Sequence, residues 1–181
     1  MGLSADTAAV AALVMRSGPS VGRVRVVCVD GPAGAGKTTL AAALVDELRP
    51  LVGEAPVVHG DEVYEGWSVV AGTDDRVAAF GQLAGRLQTW LLEPWSRGEP
   101  GSHPVWDWYA GAWRPTRSVE PAPVVILEGV GLAAPRELSI VCWRVEPPGV
   151  PADALDDLQS KVIAEIERRG INRTAPALRR A

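Results

Sequence analysis

Short uninterrupted apolar runs alternate with stretches of helical spacing along most of this chain. From Ser4 to Met15, alanine, valine and leucine recur at helical spacing behind Ser4 and Asp6, which predicts a short N-terminal helix. Residues 17–22, Ser-Gly-Pro-Ser-Val-Gly, break it. Val24 to Val29 reads as a strand, and Thr39 to Arg49 as a helix that Pro50 stops. Ala55 to His59 predicts a second strand. A helix capped by Asp74 or Asp75 is predicted to run to about Leu92, through Val77, Phe80, Leu83, Leu87 and Trp90. Residues 93–121 are rich in Pro, Gly and Trp and read as one long loop. Pro123 to Leu127 is a continuous apolar run of the kind buried in parallel sheets. Leu138 to Val145 predicts a further strand, and Ala152 to Arg169 an amphipathic helix with Leu155, Leu158, Val162 and Ile166 on its apolar face. Strands alternating with helices imply an α/β fold, a parallel sheet flanked by helices. The expected organisation is a helix and linker over 1–22, then one domain over 23–181.

Between the first strand and the first long helix lies Gly31 to Thr38, G-P-A-G-A-G-K-T, which fills every position of the Walker A phosphate-binding loop. Small residues let consecutive N–H groups turn inward around phosphates, and the helix N-terminus adds a favourable dipole. Gly31, Ala33, Gly34, Ala35, Gly36, Lys37, Thr38 and Thr39 are therefore the expected nucleotide-binding residues. Lys37 would reach the β- and γ-phosphates, and the Thr38 hydroxyl would ligate Mg²⁺. A glycine-rich turn that merely starts a helix would leave the Lys-Thr pair unexplained. The fold expected is the three-layer P-loop NTPase sandwich, with ATP and Mg²⁺ as cofactors.

Ligands of open parallel sheets bind outside the carboxyl ends of the strands. Glu128, directly after an apolar strand, resembles a Walker B acid and is the expected second metal residue. Asp61 is the candidate general base, and Glu62 could share either task. His59, inside a strand end, reads as a packed neutral histidine.

The 181 residues carry a net charge of −4, which argues against a general nucleic-acid binder. Cys28 and Cys142, the only cysteines, sit in apolar strand-like runs and read as buried thiols. No run reaches membrane-spanning length and the N-terminus lacks a signal-peptide pattern, so a cytoplasmic enzyme is expected. There are seven Trp against one Phe, and clustered Trp can line a base-binding pocket or fill a core.

Four segments carry a family resemblance: V-C-V-D-G-P-A-G-A-G-K-T-T-L, V-V-H-G-D-E-V-Y-E-G-W, W-D-W-Y-A-G-A-W and V-V-I-L-E-G-V-G. Together they make residues 24 to about 132 similar to the uridine-kinase-like P-loop nucleoside kinases. The resemblance implies phosphoryl transfer from ATP to a nucleoside-like hydroxyl, with Lys37 and Asp61 in the catalytic step. It implies an acceptor pocket formed by Glu62, Tyr64, Trp67, Asp107, Trp108 and Tyr109, Asp107 accepting from sugar hydroxyls and the aromatics facing a base. Glu62 replaces the second acid of that family's pattern, and Trp106 stands where a Tyr is expected. Residues 137–181 depart from the family. They lack its Arg-rich lid and resemble the C-terminal domain of pyridoxal-phosphate-dependent amino-acid decarboxylases, without a cofactor-binding lysine. Arg168, Arg169 and Arg173 read as solvated helix-end residues. Three functions are consistent with these residues: a small-molecule kinase, a nucleotide-binding protein that has lost transfer with its lid, and an NTPase without an acceptor. The partner in the first is a small nucleoside-like molecule.

Overall fold

An apolar strand with no polar interruption has to be covered on both faces, and here helices cover the sheet from each side. The computed structural model describes residues 3–31, 33–66, 76–132 and 141–144. In chain order these form α1 (Leu3–Arg16), β1 (Arg25–Asp30), α2 (Lys37–Val52), β2 (Val57–His59), a 3-10 turn (Gly60–Glu62) and α3 (Arg76–Leu87). A π-helical turn (Gln88–Leu92), α4 (Glu93–Ser96), β3 (Gly101–Asp107), β4 (Ala112–Val119), β5 (Val124–Gly129) and β6 (Val141–Arg144) follow. Four strands make a parallel sheet in the order β2-β5-β1-β6, and β3 and β4 make a separate antiparallel pair.

Alternate residues of the two central strands enter different cores. Val27, Val29, Val124 and Ile126 pack with Val10, Ala11 and Val14 of α1 and with Leu40, Leu44 and Leu48 of α2. Val26, Cys28, Val125 and Leu127 pack on the other face with Leu83, Leu87, Leu91, Leu92 and Trp95. Each such side chain contributes about 1.5–3 kcal/mol when fully buried. The three-layer α/β architecture is the expected one.

Three local expectations need correction. α2 runs through Pro50 to Val52 and ends at Gly53, whose N–H donates to the Arg49 carbonyl. A proline in the last turn forfeits one hydrogen bond there, while Leu40, Leu44 and Leu48 anchor the turns before it. The second long helix likewise passes its expected end at Leu92 and continues to Ser96 by way of the π turn. Pro94 explains the wide turn: its ring would press on the Trp90 carbonyl in a regular helix, and the Glu93 N–H instead reaches Gln88. The third correction is larger. Residues 93–121 are not one loop but contain a hairpin, whose register shifts between His103 and Val105 around Pro104. The helix expected over 152–169 lies outside the described residues.

Candidate nucleotide and acceptor site

β1, β2 and β5 all end at the same edge of the sheet, and each delivers a different kind of group there. β1 delivers the phosphate loop. Gly34 and Gly36 adopt φ of 77° and 88°, and a Cβ on either would meet nothing within 4 Å. The need for glycine is thus conformational rather than steric, since an L-residue in this left-handed region costs about 1–2 kcal/mol. Gly36 accepts the first helical bond, from the Leu40 N–H, so the amides of Lys37, Thr38 and Thr39 lie in the opening turn of α2. That turn holds no acidic side chain to compete with an anion. Lys37 is buried, while Ala33, Gly34, Thr38 and Thr39 are exposed and Ala35 is half-buried. Gly31 is buried at the start of the loop.

β5 delivers Glu128, only 6% exposed. Its neighbours in the sheet are Val29 and His59, paired with it across the two ladders. Glu128 Oε1 accepts from the Thr38 hydroxyl at 3.2 Å and lies 2.6 Å from His59 Nδ1. Burial pushes the Glu128 carboxyl up, but His59, Thr38 and the charge of Lys37 together hold it below the usual carboxylate range. The same hydrogen bond raises the His59 imidazole above its ordinary value. His59 is therefore not packed away as expected from sequence; it is half-exposed and bonded to the buried Glu128. The signal was its place at the end of a strand beside Glu128, which only the register reveals.

β2 runs into the 3-10 turn that carries Asp61 and Glu62. Asp61 is exposed, and the Tyr64 hydroxyl points to its Oδ1 at 3.5 Å. Burial chiefly, with the Asp61 charge, pushes the Tyr64 phenol well above its normal range, so this hydroxyl stays a donor. The Trp108 indole donates to the Asp61 carbonyl at 2.9 Å and packs edge-on to Tyr64. Glu62 is paired with Arg117 of β4 at 3.1 Å.

The structure thus brings together Lys37, Thr38, Glu128 and His59 in one group, and Asp61, Tyr64 and Trp108 in a second joined to it through Gly60. It does not bring Asp107 and Tyr109 in. Asp107 was expected to accept from sugar hydroxyls, but its carboxylate closes the hairpin. Oδ1 takes the N–H groups of Tyr109 and Ala110, and Oδ2 takes Nε and Nη2 of Arg114. The Ala110 and Arg114 hydrogen bonds keep it below the ordinary range. Tyr109 stands fully exposed at the tip. Trp67 lies outside the described residues.

Sequence reasoning also passed over Asp30, the residue before the loop. Its buried Oδ1 accepts the Gly131 and Leu132 N–H groups at 2.6 and 3.2 Å, tying the segment after Glu128 to the base of the phosphate loop. A buried acid between an apolar strand and a glycine loop was the available signal.

Thr38 and Glu128 are hard oxygen donors, the kind Mg²⁺ takes. Among the described residues no three or more His, Cys, Asp or Glu gather to hold a metal by themselves.

No protein-family model matches the chain, and no curated protein matches it. Solved structures do. One is of a possible uridine kinase from Bacillus stearothermophilus, 18% identical, with a TM-score of 0.62 and 91% of this chain aligned to 95% of that one. Another is of a candidate fructose transport system kinase from Silicibacter sp. TM1040, 20% identical, with a TM-score of 0.58 and 98% of this chain aligned to 97% of that one. At this identity the likeness establishes the fold, that of the P-loop kinases. Nothing in it supports the decarboxylase-like reading of residues 137–181. Of that stretch the structure describes Val141–Arg144, which pairs with β1 and so extends the parallel sheet. Among the described residues no helix is long and apolar enough to cross a membrane.

Proposed function

We propose that the protein is a P-loop kinase that transfers the γ-phosphoryl group of ATP, with Mg²⁺, to a hydroxyl of a small nucleoside-like molecule. The observation that carries this reading is the hydrogen bond from Thr38 to Glu128, between the phosphate loop and the acid at the end of the adjacent strand. The opening turn of α2 and Lys37 bind the phosphates. Thr38 and Glu128 would hold Mg²⁺, which would supply positive charge to offset that of the phosphates. Asp61 takes the proton of the acceptor hydroxyl as its oxygen bonds to the γ-phosphorus and the bond to the β–γ bridging oxygen breaks, leaving ADP. Tyr64 and Trp108 wall the acceptor side and hold Asp61, and Asp107 shapes the hairpin that presents Trp108. The two structural neighbours, a possible uridine kinase and a candidate fructose transport system kinase, agree with a hydroxyl acceptor.

The commitment of Asp107 to its own turn favours a second reading, a nucleotide-binding protein that does not transfer. One assay separates the two: ADP release from Mg·ATP with a panel of nucleosides and sugars. The kinase shows acceptor-dependent turnover that Lys37→Ala abolishes and that Asp61→Asn lowers by about 10²–10⁴-fold. Tight ATP binding without turnover on any acceptor sinks the kinase and leaves the second reading.

A further inference from the structure

His59 takes no step in the reaction just described, yet it grips the carboxylate on which the metal depends. It closes β2, and the ladder between β2 and β5 sets it directly against Glu128. Partners in a parallel ladder project to the same face of the sheet, so imidazole and carboxylate meet as a consequence of register. His59 Nδ1 lies 2.6 Å from Oε1, and the same oxygen accepts the Thr38 hydroxyl at 3.2 Å. Two donors, one from β2 and one from α2, hold a single oxygen of a buried acid. The terminal torsion of a glutamate is broad, so its own rotamer does not fix the plane of the carboxylate. Partners behind the ligand do that.

We infer that His59 is a positioning residue for the metal. By donating Nδ1–H to Glu128 Oε1 it fixes the carboxylate in the orientation that takes Mg²⁺ when the nucleotide arrives. The inference rests on the nucleotide reading above and deepens it. A histidine that merely packed the strand end could give way to any side chain of similar bulk; one that orients a ligand needs a donor at the position of Nδ1. Outer partners of this kind set metal affinity by about 10–100-fold.

The test is calorimetric titration of ATP, with Mg²⁺ and with a chelator, into wild type, His59→Leu, His59→Asn, Glu128→Gln and the His59→Leu/Glu128→Gln pair. In wild type Mg²⁺ strengthens ATP binding. In His59→Leu that gain falls by about 10-fold or more, while affinity for metal-free ATP stays within about 2-fold. His59→Asn, whose amide can donate in place of Nδ1, keeps most of the gain. The double variant loses no more than Glu128→Gln alone. An undiminished gain in His59→Leu overturns the proposal, as does an equal loss with and without metal, or a further 10-fold loss in the double variant. His59→Phe, which keeps a ring and removes the donor, replaces His59→Leu if that variant fails to fold. Wild type that binds ATP in neither condition overturns the nucleotide reading itself, and the role of His59 with it.

Discussion

Trp108 meets the candidate base with the edge of its indole rather than its face. Its Nε1–H is spent on the Asp61 carbonyl, and the ring stands 5.6 Å edge-on from Tyr64, whose hydroxyl turns to the Asp61 carboxylate. From sequence the residue looked like a stacking surface for the acceptor; in the fold it also holds the Asp61 backbone. A single neutral hydrogen bond is worth about 0.5–1.5 kcal/mol, roughly 2–10-fold in rate. Trp108→Phe keeps an aromatic face and removes the donor, so kcat is expected to fall by roughly that factor with the acceptor KM little changed. Trp108→Ala is expected to raise KM as well. Steady-state kinetics on both variants check this, and an unchanged kcat in Trp108→Phe would show that Trp108 only stacks. Arg86 has a different office. It forms a forked pair with Glu65 at 2.6 and 2.9 Å, donates to the Val63 carbonyl, and lies over the rings of Trp90 and Trp113. The Arg86 hydrogen bond holds the Glu65 carboxyl below its ordinary value of 4.5. A depressed acid contributes stability that is present above its unfolded pKa and lost as pH falls through its folded one. Arg86→Met is therefore expected to cost about 2 kcal/mol at pH 7. The difference from wild type should shrink below about pH 4 in urea titrations; a gap of constant size would refute the pair.

At the scale of elements, legibility followed burial. β1 and β5 were readable because both their faces are covered, which leaves an unbroken apolar run in the sequence. α1 was readable because its apolar positions recur at helical spacing. The hairpin was not readable, for a physical reason. β4 is exposed along nearly its whole length, so no apolar alternation marks it, and each strand carries a proline. Proline is tolerated because both strands of a two-stranded sheet are edges. The phosphate loop, Glu128 and Asp61 stood out as motif residues at strand ends, whereas the meeting of His59 with Glu128, 69 residues apart, depends on a register that no local pattern encodes. The turn after β5 was equally silent, yet it is tightly specified. Gly131 has φ of 77°, and a Cβ there would lie 2.3 Å from the Phe80 ring. Gly131→Ala therefore combines backbone strain with overpacking and is expected to destabilise by about 2–4 kcal/mol. Adding Phe80→Leu should recover the packing part and leave the strain. Chemical denaturation of the single and double variants checks it; no recovery would place the whole cost in the backbone.

Across the whole molecule, the phosphate loop and Glu128 belong to the parallel sheet, while the β3–β4 hairpin is a separate two-stranded unit leaning on the 3-10 turn and the π turn. A ligand that binds only the folded state stabilises it by mass action, about 2.7 kcal/mol at a hundred times its Kd. For a chain of this size that is roughly 5–10 °C in Tm. Mg·ATP is expected to produce such a shift in wild type and none in Lys37→Ala, as thermal melts would show. The tryptophans add an optical consequence of this division. Every tryptophan whose side chain is described, namely Trp90, Trp95, Trp106, Trp108 and Trp113, lies on the helix that carries the π turn or on the hairpin, and none lies on the phosphate loop or the strands that bear it. Those five indoles lie with the hairpin, whereas Trp143 lies on β6, paired with Val29 of the strand that leads into the phosphate loop. With Trp67 and Trp143 replaced by Phe, emission from the remaining five indoles would report a small molecule that enters on the hairpin side, with no dye attached.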